Sequence, residues 1–263
     1  MNIVVLVKQV PDSEAMVQVK ANGSGVDIEE KYTLNFFDSL ALEEALQIKE
    51  KIGSGKVTLI TLGTQKSVEA LRTGIAMGAD EAFLLEDQAL MEGDEYTTAK
   101  ALAKAINGMD YDLVFCGKEA FDDSSGAVGP IVAEFLGIPH VTSVVKVDVS
   151  SDEQTVTVER EIEGGKEIIK AGLPVLLASQ KGLNEPRVPP ITGVMKAMRE
   201  EVKRLDLNDI DVSPGEVGRQ GAKEEIVRFY RPPKRPPVTM IEGEMIDVVR
   251  ELVKFLKEKI RTL

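Results

Sequence analysis

The sequence predicts an α/β protein built on a doubly wound, mostly parallel sheet, with an antiparallel extension and a C-terminal arm that ends in a helix. Three observations carry that expectation. Short, continuous apolar runs recur through the first half of the chain, helical segments alternate with them, and the joints between are brief. A run that is apolar on both faces needs helices above and below it, which is the condition of an interior parallel strand.

The first run is "IVVLV" (Ile3–Val7). From Lys8 to Phe37 the chain then makes a long excursion, with β-like pieces "MVQVK" and "GVDI" around the turn "ANGSG". An insertion of this length straight after a first strand is more often functional than accidental. "DSLALEEALQIKEKIG" follows as a helix carrying Leu40, Leu42, Ala45, Leu46 and Ile48, with Asp38 or Ser39 as its cap and Gly53 as its stop. "VTLITL" (Val57–Leu62), "AFLLE" (Ala82–Glu86) and "DLVFC" (Asp112–Cys116) are the next strands. Between them lie the helices "SVEALRTGIAMGAD", stopped at Gly78, and "YTTAKALAKAIN", ending near Asn107–Gly108; "VAEFLGI" is a fourth.

After Pro139 the pattern becomes antiparallel. "VTSVVKVDV", "TVTVERE" and "KEIIKAG" alternate across the turns "SSDEQ" and "EGG", and "PVLLASQ" then reads as a buried strand. "NEPRVPPITG" holds too much proline to be regular throughout. From about Val212 the chain is irregular and polar, stiffened by "RPPKRPP". It closes on "EMIDVVRELVKFLKEKI", whose Met245, Val248, Val249, Leu252, Phe255, Leu256 and Ile260 form one apolar stripe. Residues 1–206 therefore read as an α/β domain, and 207–263 as an arm and terminal helix that either dock on a partner or pack back on their own domain; the family resemblance given below implies the nucleotide-binding domain and the partner subunit.

Bulk composition excludes several classes of function. The chain has 263 residues, 43% of them hydrophobic, and no apolar run approaches the roughly 18 residues of a membrane span. The opening "MNIVVLVKQV" lacks a basic leader and a cleavage site, and a single cysteine fits a reducing, cytoplasmic compartment. A net charge of −12 disfavours nonspecific nucleic-acid binding, and with no tryptophan and 5% aromatics the stacking platforms of single-strand binders are scarce. One His and one Cys make a His/Cys metal site or a Cys–His nucleophile pair improbable.

Ligands of such sheets sit beyond the carboxyl ends of the strands, where Gly63 and Gly117 lie. "GKEAFDDSSGAVGP" (Gly117–Pro130) joins a buried strand to a helix, a turn whose backbone N–H groups attract anions. Three roles stay open for it. Asp122 and Asp123 are an acid/base or magnesium pair; they are helix caps; or Ser124, Ser125 and the N–H groups through Val128 bind an anion while an aspartate accepts from a base or ribose hydroxyl. No Walker loop, dinucleotide fingerprint, nucleophile elbow or zinc-protease motif occurs. His140 and Cys116 read as structural residues. "GLNEPRVPPITGVMKA" (Gly182–Ala197) presents Val188, Ile191 and Val194 on a proline-stiffened loop, which points to protein recognition.

Together, "VKQVPDS", "LNFFDSLALEEAL", "AMGAD", "GKEAFDDSSGAVGP", "VEREIEGG" and "LNEPRVPPITGVMKA" closely resemble the beta subunit of electron transfer flavoproteins, in order from the first strand onward. The resemblance implies an adenine nucleotide alpha hydrolase-like sheet and a heterodimer with an alpha subunit. That partner holds most of an FAD, and the beta subunit supplies a wall of it and a second nucleotide site for AMP. Motif matching puts the nucleotide contacts at Leu6, Asn35, Phe36, Phe37, Asp38 and Leu62. The loop adds Gly117, Lys118, Glu119, Ala120, Phe121, Asp122, Asp123, Ser124, Ser125, Gly126, Ala127 and Val128. Phe37 and Ser13 would face the shared FAD. Leu183, Asn184, Glu185, Pro186, Arg187, Ile191 and Met195 would dock acyl-CoA dehydrogenases, with Ile191 as apolar anchor, and Glu161 would steady the mobile flavin domain.

The role implied is that of an electron carrier without substrate turnover, feeding a quinone-linked or iron–sulfur acceptor. Many relatives read Asp-Asp-Asp and then Asn-Gln in the loop, where this chain has Ser124, Gly126 and Ala127. The electron-bifurcating branch, which holds a second FAD in place of AMP, reads Asp-Gly-Asp-Thr-Ala-Gln-Val-Gly-Pro. This chain keeps its "VGP" and "VKQVPD" but not the rest. "NFFD" stands where Asn-Pro-Phe is commoner.

Overall fold

The computed structural model describes residues 1–260, without the side chains of Lys259 and Ile260, so the side chain of the last member of the expected stripe lies outside what is described. Strand β1 (Asn2–Leu6) leads into the excursion, which holds β2 (Gln9–Pro11), β3 (Val17–Val19), β4 (Val26–Ile28) and β5 (Tyr32–Leu34). Strands and helices then alternate: α1 (Phe36–Ile52), β6 (Lys56–Leu62), α2 (Val68–Met77), β7 (Glu81–Leu85), α3 (Glu95–Asn107), β8 (Leu113–Gly117) and α4 (Val128–Leu136). A meander of β9 (His140–Val149), β10 (Thr155–Ile162) and β11 (Gly165–Gly172) precedes β12 (Val175–Ser179). Last come α5 (Ile191–Arg199), β13 (Lys203–Leu205), the single turn α6 (Gly218–Gly221) and α7 (Met245–Phe255).

The main sheet has nine strands in the order β11-β10-β9-β12-β8-β1-β6-β7-β13. From β9 across to β13 neighbours run parallel, and β10 and β11 extend the sheet antiparallel. The excursion folds as two separate hairpins, β2 with β5 and β3 with β4.

Alternation along the strands divides the interior into two cores. Ile3 and Val5 of β1, Val57 and Leu59 of β6, and Leu113 and Phe115 of β8 pack with α1 and α2 on one face. Their neighbours Val4, Leu6, Ile60, Val114 and Cys116 pack with α3 and α4 on the other. A strand buried on both sides must be apolar at every position, which is why these runs show no period-two pattern. Each large side chain so enclosed contributes about 1.5–3 kcal/mol. In the extension only one face is covered. Val156 and Val158 of β10 are buried, while Thr155, Thr157 and Glu159 between them are half-buried.

Three details depart from the expectations. Helix α1 starts at Phe36 with Asn35 in the cap position, so Asp38 lies inside the first turn and caps nothing. Its carboxylate is instead taken by two strand tips, as described below. Asp122 and Asp123 are not caps either, because α4 starts only at Val128 and its cap residue is Ala127. The core also runs on past β13, taking in Leu207, Ile210, Val212 and Val217, and the chain turns outward only beyond α6. The proline-rich stretch is irregular up to Pro190 and then becomes α5. Met245, Val249, Leu252 and Phe255 of α7 are exposed. Among the described residues no helix is long and apolar enough to cross a membrane.

Candidate functional site

After β1 the chain lays β6 and β7 on one side and then returns to set β8 on the other. The tips of β1 and β8 therefore part at a topological switch point, the usual place for a ligand in an open α/β sheet. A cleft of about 1200 Å³ opens there. Its floor is Leu6 at the end of β1 with Val7 and Lys8 beyond it, Thr61 and Leu62 of β6, and Cys116 and Gly117 of β8.

Two polar residues of "NFFD" fix that floor. The Asp38 carboxylate accepts the backbone N–H of Lys8 at 2.7 Å and, through its other oxygen, that of Gly117 at 2.9 Å. One side chain thus ties the start of α1 to both strand tips. Burial pushes its pKa up to about 7 against these hydrogen bonds, which favour the charged form. Asn35 donates from Nδ2 to the Glu119 carbonyl at 2.9 Å and accepts the Phe121 N–H at 3.1 Å. The Ser179 hydroxyl lies 2.6 Å from the Phe37 carbonyl. Gly117 is required by contact: a Cβ there would stand 2.5 Å from Asp38 Oδ1 and 2.6 Å from Phe37 Cβ.

The loop's aspartates have a common partner. Lys8 Nζ donates to Asp122 Oδ1 and Asp123 Oδ2, both at 2.8 Å. Burial works against the ammonium, yet these two ion pairs hold the Lys8 pKa above its ordinary value. Two carboxylates engaged on one ammonium do not form the acid/base pair that the sequence left open. Beyond them Ser124 and Gly126 both have positive φ, 55° and 63°. The turn is closed by its own bonds: Ser124 N–H donates to the Ala120 carbonyl at 2.8 Å and Ala127 N–H to Ser125 Oγ at 3.4 Å. Ser125 N–H is satisfied by Asp123 Oδ1 at 3.0 Å. Val128 and Gly129, the first residues of α4, line the cleft, and their N–H groups meet no acceptor among the described residues. Pro130 follows with no N–H to satisfy. An uncapped helix start with two open donors on residues that line a cleft fits a phosphate.

Of the nucleotide contacts expected from sequence, Leu6, Asn35, Asp38 and Leu62 line the cleft, as do Gly117, Lys118, Glu119, Ala120, Asp123, Ser125, Gly126, Ala127 and Val128. Phe36, Phe37, Phe121, Asp122 and Ser124 do not. Phe36 is exposed and meets Phe37 edge-on at 5.5 Å, and the ammonium of Lys118 lies 5.3 Å from the Phe37 ring centre. Phe121 is exposed, as is Ser13 on the turn after β2.

Sequence reasoning missed one side of the cleft altogether. The start of α3 and the arm at Ala222–Ile226 and Phe229 line it as well. Asp94 caps α3 through Thr97 N–H and also accepts the backbone N–H groups of Lys223 and Glu224. These bonds outweigh burial and hold the Asp94 carboxyl below its ordinary range. An acidic residue directly before α3 was the available signal for this wall. The irregular arm offered none.

On another face, the expected docking loop is anchored by its polar residues and exposes its apolar ones. Arg187 donates from Nε and Nη2 to Glu43 and from Nη1 to Glu50, at 2.8, 3.0 and 2.6 Å. Asn184 Nδ2 reaches the Leu40 carbonyl at 3.1 Å and Glu44 at 2.9 Å. Leu183 packs against the core, Pro186 is half-buried and Glu185 is exposed. Ile191 is 80% and Met195 52% exposed, beside Val188 and Met198. Glu161, exposed near the end of β10, accepts from Gln180 Nε2 at 3.4 Å.

Other chemistry finds little support. Burial pushes the Cys116 thiol far above its ordinary pKa, and His140 is exposed at the start of β9. Among the described residues no group of His, Cys, Asp and Glu is arranged to hold a metal ion.

Residues 25–210 match the electron transfer flavoprotein domain. The chain is 42% identical to the electron transfer flavoprotein subunit beta of Thermoanaerobacterium thermosaccharolyticum, over 98% of this chain and 99% of that one. It is 35% identical to the subunit beta of Bacillus subtilis over the full length of both. To the caffeyl-CoA reductase-Etf complex subunit CarD of Acetobacterium woodii it is 35% identical, over 98% of this chain and 99% of the relative. Strand tips, loop and arm are thus those of a chain that belongs to the electron transfer flavoprotein family, with beta subunits as its full-length relatives.

Proposed function

We propose that the chain is the beta subunit of a heterodimeric electron transfer flavoprotein, that its cleft holds AMP, and that it walls one face of an FAD shared with the alpha subunit. The observation that carries the nucleotide assignment is the open start of α4, where Val128 and Gly129 line a cleft at the sheet's switch point and their N–H groups meet no acceptor among the described residues. Backbone donors there take the phosphate, and the apolar tips Leu6 and Leu62 frame the base. The flavin, when bound, supplies the reversible acceptance of electrons. This chain's own task is positioning.

Residues 1–206 carry most of the cleft, Ala222–Phe229 of the arm close one side of it, and the rest of 207–263, with the exposed face of α7, reaches the alpha subunit. Phe37 and Ser13 lie toward the flavin, and Glu161 steadies the domain that carries it. Leu183, Asn184 and Arg187 hold the recognition loop in place. Ile191 and Met195 insert into acyl-CoA dehydrogenases of fatty acid oxidation, and the electrons pass to a quinone-linked or iron–sulfur acceptor. The subunit carries electrons and turns over no substrate of its own.

A second FAD in place of AMP is the competing occupant. Two observations favour it: the cleft volume of about 1200 Å³, and a full-length relative named from a caffeyl-CoA reductase-Etf complex. Co-expression with a cognate alpha chain decides between them. One flavin plus acid-extractable AMP per heterodimer supports the first assignment, and two flavins support the second. A heterodimer with neither AMP nor a second flavin overturns the cleft assignment.

A further inference from the structure

We propose that Phe229, on the arm, is the stacking platform for the adenine ring of the bound nucleotide, so that Ala222–Phe229 forms the site's cover. The inference rests on an adenine nucleotide occupying the cleft, whether AMP or the adenylate half of an FAD.

The arm is tied down at both ends of this segment. At one end the Asp94 carboxylate, at the start of α3, accepts the N–H groups of Lys223 and Glu224. At the other, Phe229 N–H donates to the Gly23 carbonyl at 2.9 Å, in the turn between β3 and β4. Helix α3 and that hairpin are separate parts of the structure, so the segment between these ties bridges them along the cleft. The fit at Gly23 is close, for a Cβ there would stand 2.9 Å from Arg228 Cγ.

Phe229 is the one aromatic side chain among the described residues lining the cleft. It is half-buried, whereas Val227 and Tyr230 near it on the arm are exposed. The strand tips offer an adenine ring aliphatic contact from Leu6 and Leu62 but no π face. A purine that keeps its phosphate at the start of α4 and its ring over the tips finds its aromatic partner in Phe229. Base–aromatic stacking is sequence-tolerant and strong enough to govern retention.

The test uses the purified heterodimer, stripped of adenine nucleotide and titrated calorimetrically with AMP, or with FAD where the parent carries a second flavin. Phe229→Ala is expected to weaken binding by about ten- to a hundredfold, the loss of one stacked base. Phe229→Trp should bind within a few-fold of the parent. Phe229→Leu, which keeps apolar cover without a π face, should fall with the alanine variant. Shared-FAD content should be equal in all four. If Phe229→Ala fails to assemble, the Leu and Trp variants carry the comparison. Parent-like affinity in Phe229→Leu overturns the stacking role while leaving the cleft assignment intact. A parent heterodimer that binds no adenine nucleotide overturns both.

Discussion

Arg187→Ala removes the clamp under the exposed loop, and its cost can be worked from the geometry. The guanidinium makes a two-pronged contact with Glu43, at 2.8 and 3.0 Å, and a further pair with Glu50. Glu50 is well exposed, so its share is small. Glu43 is only 4% exposed, and truncation would leave its carboxylate with Gln47 and the Arg187 backbone N–H as donors. Breaking a fully buried pair costs about 3–5 kcal/mol; because the Arg187 side chain is 31% exposed, about 2–3 is the better figure here. At roughly 2–4 °C per kcal/mol for a chain of this size, melting should fall by about 4–12 °C.

The loss has a pH signature. Burial would raise the Glu43 pKa, but the Arg187 contacts win and hold it below the ordinary 4.5. A lowered carboxyl pKa contributes stability that is present above the unfolded value and vanishes as pH falls through the folded one. The gap between parent and variant should therefore be widest near pH 7 and narrow below pH 4.5. Urea denaturation of the heterodimer at both pH values measures it. Equal midpoints at pH 7, or a gap independent of pH, would refute the reasoning. With the loop released, the KM for a donor dehydrogenase should also rise while flavin content stays constant.

Gly117→Ala should destabilise the fold by about 1–3 kcal/mol, since its methyl would meet Asp38 and Phe37 at 2.5–2.6 Å; denaturant midpoints read this directly. The buried Asp38, with its pKa raised to about 7, favours the protonated folded state, so its contribution is complete at acid pH and fades as pH rises through 7. The parent should accordingly lose stability relative to Asp38→Asn between pH 5 and pH 8, and a constant difference would exclude the shift. Ile191→Ala, at an 80% exposed position, should leave melting unchanged yet slow reduction by the donor about tenfold, as expected for an interface anchor; stopped-flow flavin reduction measures it.

How much of this could be read from the sequence depends on whether the information is local. The continuous apolar runs of β1, β6 and β8 announce strands covered on both sides, and Gly53 and Gly78 end their helices as read. The loop Gly117–Val128 was likewise placed correctly at a strand tip, because a strand, a small-residue turn and a helix are contiguous there. What sequence could not show were partnerships over long separations. Asp38 looks like a helix cap to any local rule, yet its acceptors serve Lys8 and Gly117, residues 30 and 79 positions away. Asp122 and Asp123 look free until Lys8, more than 110 positions earlier, arrives between them. The arm has no periodicity at all, so its descent onto Asp94 and Gly23 left no trace in the pattern.

Asp38 holds two strands and a helix at a single point, and this limits how the cavity can respond to its guest. A base riveted in that way has no hinge of its own. The overlying segment, by contrast, is fastened by three backbone N–H groups at its two ends, and the residues between, 225–228, are exposed. A short guest and a long one would meet the same immovable bed, and whatever accommodation their different lengths require must come from the strip above.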